Sequence, residues 1–148
     1  MTNNVALVGR SSFALAAGAV TVASLALAHT AVALSTGDDA VPAHGRSGFY
    51  VVGIAVATLA WSVAIVLTKS AAMGLAGGVL VGGAIANLAS LALWPSVDGV
   101  PNPLLAGALA FNLADVAVAC GLVLVLATTT SFAARNRGRL HDPVRLRS

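Results

Sequence analysis

Four long apolar stretches constrain this chain more than any other feature. They run from about Ser11 to Leu34, Phe49 to Thr68, Ala71 to Leu93 and Leu104 to Phe132. Each supplies the roughly 20 residues that a helix needs to cross a bilayer. In hydrocarbon no water satisfies a free N–H or C=O, so a spanning segment must pair its backbone internally as a helix. The reading is an all-α chain, a single integral membrane domain over residues 1–148 built as a four-transmembrane-helix bundle. The fourth stretch is longer than a bilayer requires, so its helix is expected to tilt or to project.

Composition excludes the main alternatives. Charged residues make up 9% and hydrophobic residues 58%, against about 25% charged in soluble domains. Too few charges remain to cover a soluble surface, and too much apolar surface is present for disorder. The net charge of +3 does not point to nucleic acid, because the basic residues lie at chain ends and in loops and no aromatic or fold motif accompanies them. Cys120 is the one cysteine, which rules out an internal disulfide and a cysteine-cluster metal site. His29 stands without a carboxylate at ligand spacing, so no metal and no cofactor is expected.

The connections are polar. Ser35 to Gly48 reads STGDDAVPAHGRSG, Lys69-Ser70 is short, and Trp94 to Pro103 reads WPSVDGVPNP, whose prolines forbid a continuous helix. Residues 133–148 form a basic tail. With both termini cytoplasmic, Arg10, Lys69, Arg135, Arg137, Arg139, Arg145 and Arg147 lie inside and Arg46 alone outside, as the positive-inside rule asks. Ala31-Val32-Ala33 has the form of a signal-peptide cleavage site, but the stretch before it is too long for the apolar region of such a signal. It is therefore read as a retained span. Tail arginines suit anionic lipid head groups.

Two features within the spans carry information. Gly74, Gly78, Gly82, Ala86 and Ser90 recur every four residues, which puts them on one helix face and predicts close helix packing. Asn87 and Asp115 are polar groups within apolar segments. An intramembrane carboxylate is costly and is by default a functional-site candidate. Counted from Leu104, Asp115 is expected roughly 16 Å along its helix. Asn112, three residues earlier, shares its face. Asn87 is either a hydrogen-bond bridge between helices or a site residue. Asp115 is either a site acid or a structural partner of Asn87 or Asn112.

The segments GGAIANLAS, Gly82 to Ser90, and FNLAD, Phe111 to Asp115, resemble the signal peptidase II family, the lipoprotein signal peptidases. That family carries G-G-x-x-x-N-x-x-D-R at the end of its third helix and F-N-x-A-D in its fourth. The resemblance implies four transmembrane helices in a bacterial plasma membrane, cytoplasmic termini, and a catalytic aspartate pair near the outer surface that removes signal peptides from prolipoproteins. Gly82, Gly83 and Asn87 match the first motif, and Phe111, Asn112, Ala114 and Asp115 match the second.

The departures bear on activity. Ser90 stands where the family has its first catalytic aspartate, and Leu91 where it has arginine. His44 and Arg46 replace the asparagine and glycine of the family's motif before Phe49, and the first span lacks the family's Asp…Lys pattern. An aspartic peptidase needs two carboxyls, one ionised to take a proton from water and one protonated to hold the carbonyl oxygen. Asp115 alone cannot divide those roles. Asp98, near the family's loop Val-Val-Asp, is the substitute acid to consider.

The expectation is thus a catalytically degenerate relative with Asp115 as the surviving catalytic residue. Asn87 and Asn112 would be its substrate-binding residues, in a groove between helices three and four that takes an apolar peptide segment or lipid. The alternatives are a working aspartic endopeptidase and a structural subunit of a membrane complex. Expected partners are membrane lipid and either a lipoprotein signal peptide or another membrane protein.

Overall fold

The computed structural model describes residues 2–35, 41–97 and 99–137. Four helices dominate: α1 (Thr2–Leu34), α2 (Gly48–Leu67), α3 (Ala71–Leu93) and α4 (Leu113–Arg135). All four are long and apolar enough to cross a membrane. Between them lie β1 (Ala43–His44), a 3-10 turn at Pro95–Val97, β2 (Val100–Pro101), β3 (Leu104–Ala106) and β4 (Leu109–Phe111). β1 pairs antiparallel with β2, His44 opposite Val100, and β3 pairs antiparallel with β4.

The α3 helix is the hub, packing against α1, α4 and α2. Its small residues make this possible. Gly74, Ala76, Gly77, Gly78, Val81, Gly82, Gly83, Ala86 and Ser90 are all buried. The expected stripe faces α1. A methyl added at Gly78 would meet the Phe13 carbonyl oxygen at 2.6 Å, and one at Gly82 the Ala17 carbonyl oxygen at 2.6 Å. Thr21 Oγ1 donates across this seam to the Gly82 carbonyl at 3.1 Å as well as to its own Ala17 carbonyl at 2.8 Å. Other glycines serve other neighbours. Gly77 admits the Ile65 side chain of α2, Gly83 the Ala114 carbonyl of α4, and Gly121 of α4 the Leu80 backbone. Without a hydrophobic drive in lipid, such close approach is what holds helices together.

Three boundaries differ from the sequence expectation. α1 begins at Thr2 rather than near Ser11, because nothing from Thr2 to Arg10 breaks a helix. α4 begins at Leu113 rather than near Leu104. Residues 104–111 fold back as a hairpin whose turn is Gly107-Ala108, with Gly107 at φ 61°. Glycine at the first central position of a two-residue hairpin loop allows the backbone twist that such hairpins need. The apolar run LLAGALAF therefore lies outside the helix. α4 also continues through Arg135, so the first residues of the expected basic tail are helical.

Candidate functional site

Asp115 is placed by the start of α4. Asn112 is the N-cap, and its side-chain oxygen accepts the Asp115 backbone N–H at 2.8 Å. Asp115 Oδ2 in turn accepts the Asn112 backbone N–H at 3.2 Å. This reciprocal capping box satisfies two donors that the first turn of a helix leaves free. The sequence places Asp115 deep in a span. The structure places it in the first turn of α4, because the hairpin occupies the residues that would have formed the preceding helical turns.

A network of side-chain amides surrounds this carboxyl. Asn87 of α3 donates from Nδ2 to Asp115 Oδ1 at 2.9 Å. Asn112 Nδ2 donates to Asn87 Oδ1 at 2.9 Å and to Asn102 Oδ1 at 3.1 Å. Asn102 contacts His44 Nδ1 through its own Nδ2. Its backbone N–H donates to the Pro42 carbonyl at 2.8 Å. Asn102 is 2% and Asn112 6% exposed, so each amide depends on these partners rather than on water. Asn87 thus bridges α3 to α4 through its hydrogen bond to Asp115.

Asp115 and Asn87 open on a cavity of about 230 Å³. Its apolar wall comes from Val51 and Ile54 of α2, Ala84, Leu88 and Leu91 of α3, and Val118 and Ala119 of α4, with Arg46, Tyr50 and Val100 completing the lining. The Arg46 guanidinium lies 5.2 Å from the Tyr50 ring centroid, a cation–π geometry. This cavity draws its walls from α2 as well as from α3 and α4, while Gly83 and Gly121 bring α3 and α4 into close contact.

The other sequence candidates fall differently. Asn112 does not line the cavity and acts behind it as the cap. Ser90 does not line it either. It is buried at 5% exposure, and its Oγ donates to the Ala86 carbonyl at 2.8 Å, one turn back on its own helix. Asp98, the substitute acid, lies outside the described residues, as do Asp38, Asp39 and Asp142. Asp115 is the only acid among the described residues. No group of three or more metal-ligating side chains occurs among them either.

Sequence reasoning missed Asn102 and its pairing with His44. Asn102 sits in a proline-rich loop, and only the β1–β2 pairing carries it and His44 to the cap of α4. The signal that was available is Asn112-x-x-Asp115, a capping box that marks a helix start at Leu113.

These features define a membrane-embedded four-helix protein. The carboxyl of Asp115, the only acid among the described residues, is held by Asn87 of α3 and by Asn112, the N-cap of α4, at the head of an apolar cavity. The family model of signal peptidase (SPase) II matches residues 10–131. The chain belongs to the signal peptidase II family, and it is accordingly a multi-pass plasma-membrane protein. Neither the curated proteins nor the solved structures gave a match.

Proposed function

We propose that this chain is a catalytically degenerate signal peptidase II relative that binds an apolar peptide segment or a lipid acyl chain in the cavity bounded by α2, α3 and α4. The observation that supports this reading is the Asp115 carboxyl at the cavity head, the only one among the described residues. Asp115 Oδ1 accepts a hydrogen bond from Asn87 Nδ2 and Oδ2 one from the Asn112 backbone N–H. Each still has capacity to accept a donor from a bound ligand. The position where the family has its other catalytic aspartate holds Ser90, whose hydroxyl is spent on its own helix. One carboxyl can orient a peptide N–H, but it cannot act as base and acid in the same step.

Both termini lie in the cytoplasm in this reading, which sets the cavity head, the β1–β2 ribbon and Arg46 at the outer surface where a lipoprotein signal peptide or a membrane lipid enters. The membrane is bacterial, and the chain acts as a pseudoenzyme in lipoprotein handling.

The deciding experiment incubates the purified protein with a lipid-modified prolipoprotein, beside its Asp115→Asn variant. In parallel, a photo-crosslinker at Ala119 reports occupancy of the cavity by the same substrate. The expected result is crosslinking without cleavage. Cleavage that Asp115→Asn abolishes would show a working endopeptidase with a second acid, and Asp98 would be the first to mutate. Absence of crosslinking would leave the structural-subunit role.

A further inference from the structure

We infer that His44 is a positioning residue for the Asp115 site, and that its protonation disrupts the one-directional asparagine hydrogen-bond chain that holds the site together. This rests on Asp115 and Asn87 forming the site but not on whether the site cleaves.

The argument starts at the helix cap, where direction is unambiguous. The Asp115 backbone N–H can only donate, so the Asn112 atom it meets must be the side-chain oxygen. Asn112 Nδ2 is thereby the atom that faces Asn87 and Asn102, and both must present oxygen to it. Asn87 then has its Nδ2 free to donate to Asp115 Oδ1. Asn102, for the same reason, turns its Nδ2 toward His44 Nδ1. A donor facing Nδ1 requires a lone pair there, so the ring is neutral with its proton on Nε2. Every amide orientation from His44 to Asp115 follows from one backbone N–H, and none can turn alone.

Protonation of His44 puts a hydrogen on Nδ1, opposite the Asn102 N–H. Rotating the Asn102 amide would relieve that contact but would set its NH2 against the NH2 of Asn112. Rotating Asn112 next would withdraw the cap from Asp115 and the donor from Asn87. Asn102 cannot exchange these partners for water, being 2% exposed and tied through its backbone to Pro42. His44 itself is exposed, so bulk protons reach it directly. Gly99 packs so closely on the His44 backbone that a side chain there would collide with it, which fixes the backbone of His44 beside the Asn102 strand end. The charged groups among the described residues at this end of the bundle are Arg46, two residues along the chain and stacked on Tyr50, and Asp115 at the far end of the network. His29 lies on α1 against Trp94, its ring centroid 6.4 Å away.

The consequence is a site whose acceptors face the cavity in one arrangement while His44 is neutral and lose that arrangement as the exterior acidifies. A histidine that only filled space would leave the distant amides indifferent to pH.

The test uses the full chain, isotope-labelled in detergent micelles, with the side-chain amide resonances of Asn87, Asn102 and Asn112 followed by NMR from pH 8 to pH 5. All three are expected to shift with the midpoint at which the His44 ring titrates. In His44→Gln, which keeps a neutral acceptor for Asn102, they are expected to stay constant across the range. His44→Asn, shorter but equally neutral, serves if the first variant fails to fold. His29→Gln is the control and should titrate like the unmodified chain. An Asn87 amide that stays constant while His44 titrates would overturn the inference. So would a pH response that persists in the neutral variants. Neither outcome depends on cleavage or on ligand binding, so this result and the fate of the degenerate reading are independent.

Discussion

Replacing Gly82 by alanine tests the packing that holds α1 against α3. Alanine is normally a gain inside a helix, worth about 1 kcal/mol over glycine. At Gly82 the added methyl would lie 2.6 Å from the Ala17 carbonyl oxygen and 3.0 Å from both Ala17 Cα and Val20 Cβ. Comfortable contact begins at about 3.5 Å, so the seam must open by close to an ångström against backbone, which cannot rotate away. Overpacking of this kind costs about 1–3 kcal/mol. Opening the seam also stretches the Thr21 bond to the Gly82 carbonyl, now 3.1 Å, worth about 0.5–1.5 kcal/mol. After the helix-propensity gain, the net loss is about 1–2 kcal/mol, and Gly82→Leu should lose more. Gly53 of α2 is the matched control, because a methyl there meets nothing within 4 Å; Gly53→Ala should keep or raise stability. Thermal unfolding in a mild detergent reads the difference, at roughly 2–4 °C per kcal/mol for a chain of this size. Melting of both Gly82 variants with the unmodified protein, or an equal loss in Gly53→Ala, would refute the assignment of this face to α1.

Other perturbations address the site and the orientation. Asp115→Asn leaves one oxygen where two donors, Asn87 Nδ2 and the Asn112 N–H, now find acceptors. It should cost about 1–2 kcal/mol as a lower melting temperature, even without any cleavage to lose. Ser90→Asp adds a carboxyl at a buried position outside the cavity lining. It should lower stability by roughly 2–3 kcal/mol and gain no cleavage of prolipoprotein; recovered cleavage would show that position 90 reaches the cavity head. In a Cys120→Ala background, a cysteine at Ala108, exposed at the hairpin turn, should react with an impermeant reagent added outside intact cells. One at Ala134, exposed near the end of α4, should react only after permeabilisation. The reverse pattern would invert the topology.

Four spans, their order and the crowding of α3 were legible from residues alone, because a bilayer leaves a long apolar segment little choice but a helix and because glycines at four-residue spacing share a face. The family was legible too, since Gly82-Gly83, Asn87 and Phe111 to Asp115 are local strings. The start of α4 was not read, although Asn112-x-x-Asp115 encodes it. LLAGALAF is apolar enough to pass for more helix, and hydropathy does not distinguish a short hairpin from a helical turn. Tertiary structure decided what surrounds the acid. Asn87 and Asp115 are 28 residues apart in the chain, and Asn102 and His44 are 58 apart. No local pattern pairs them; the approach of α3 to α4 over Gly83 and the pairing of β1 with β2 do. Hydrogen-bond direction passes from one amide to the next only because those elements hold the side chains in contact, and so a loop histidine is linked through three asparagines to a carboxyl at the head of the cavity.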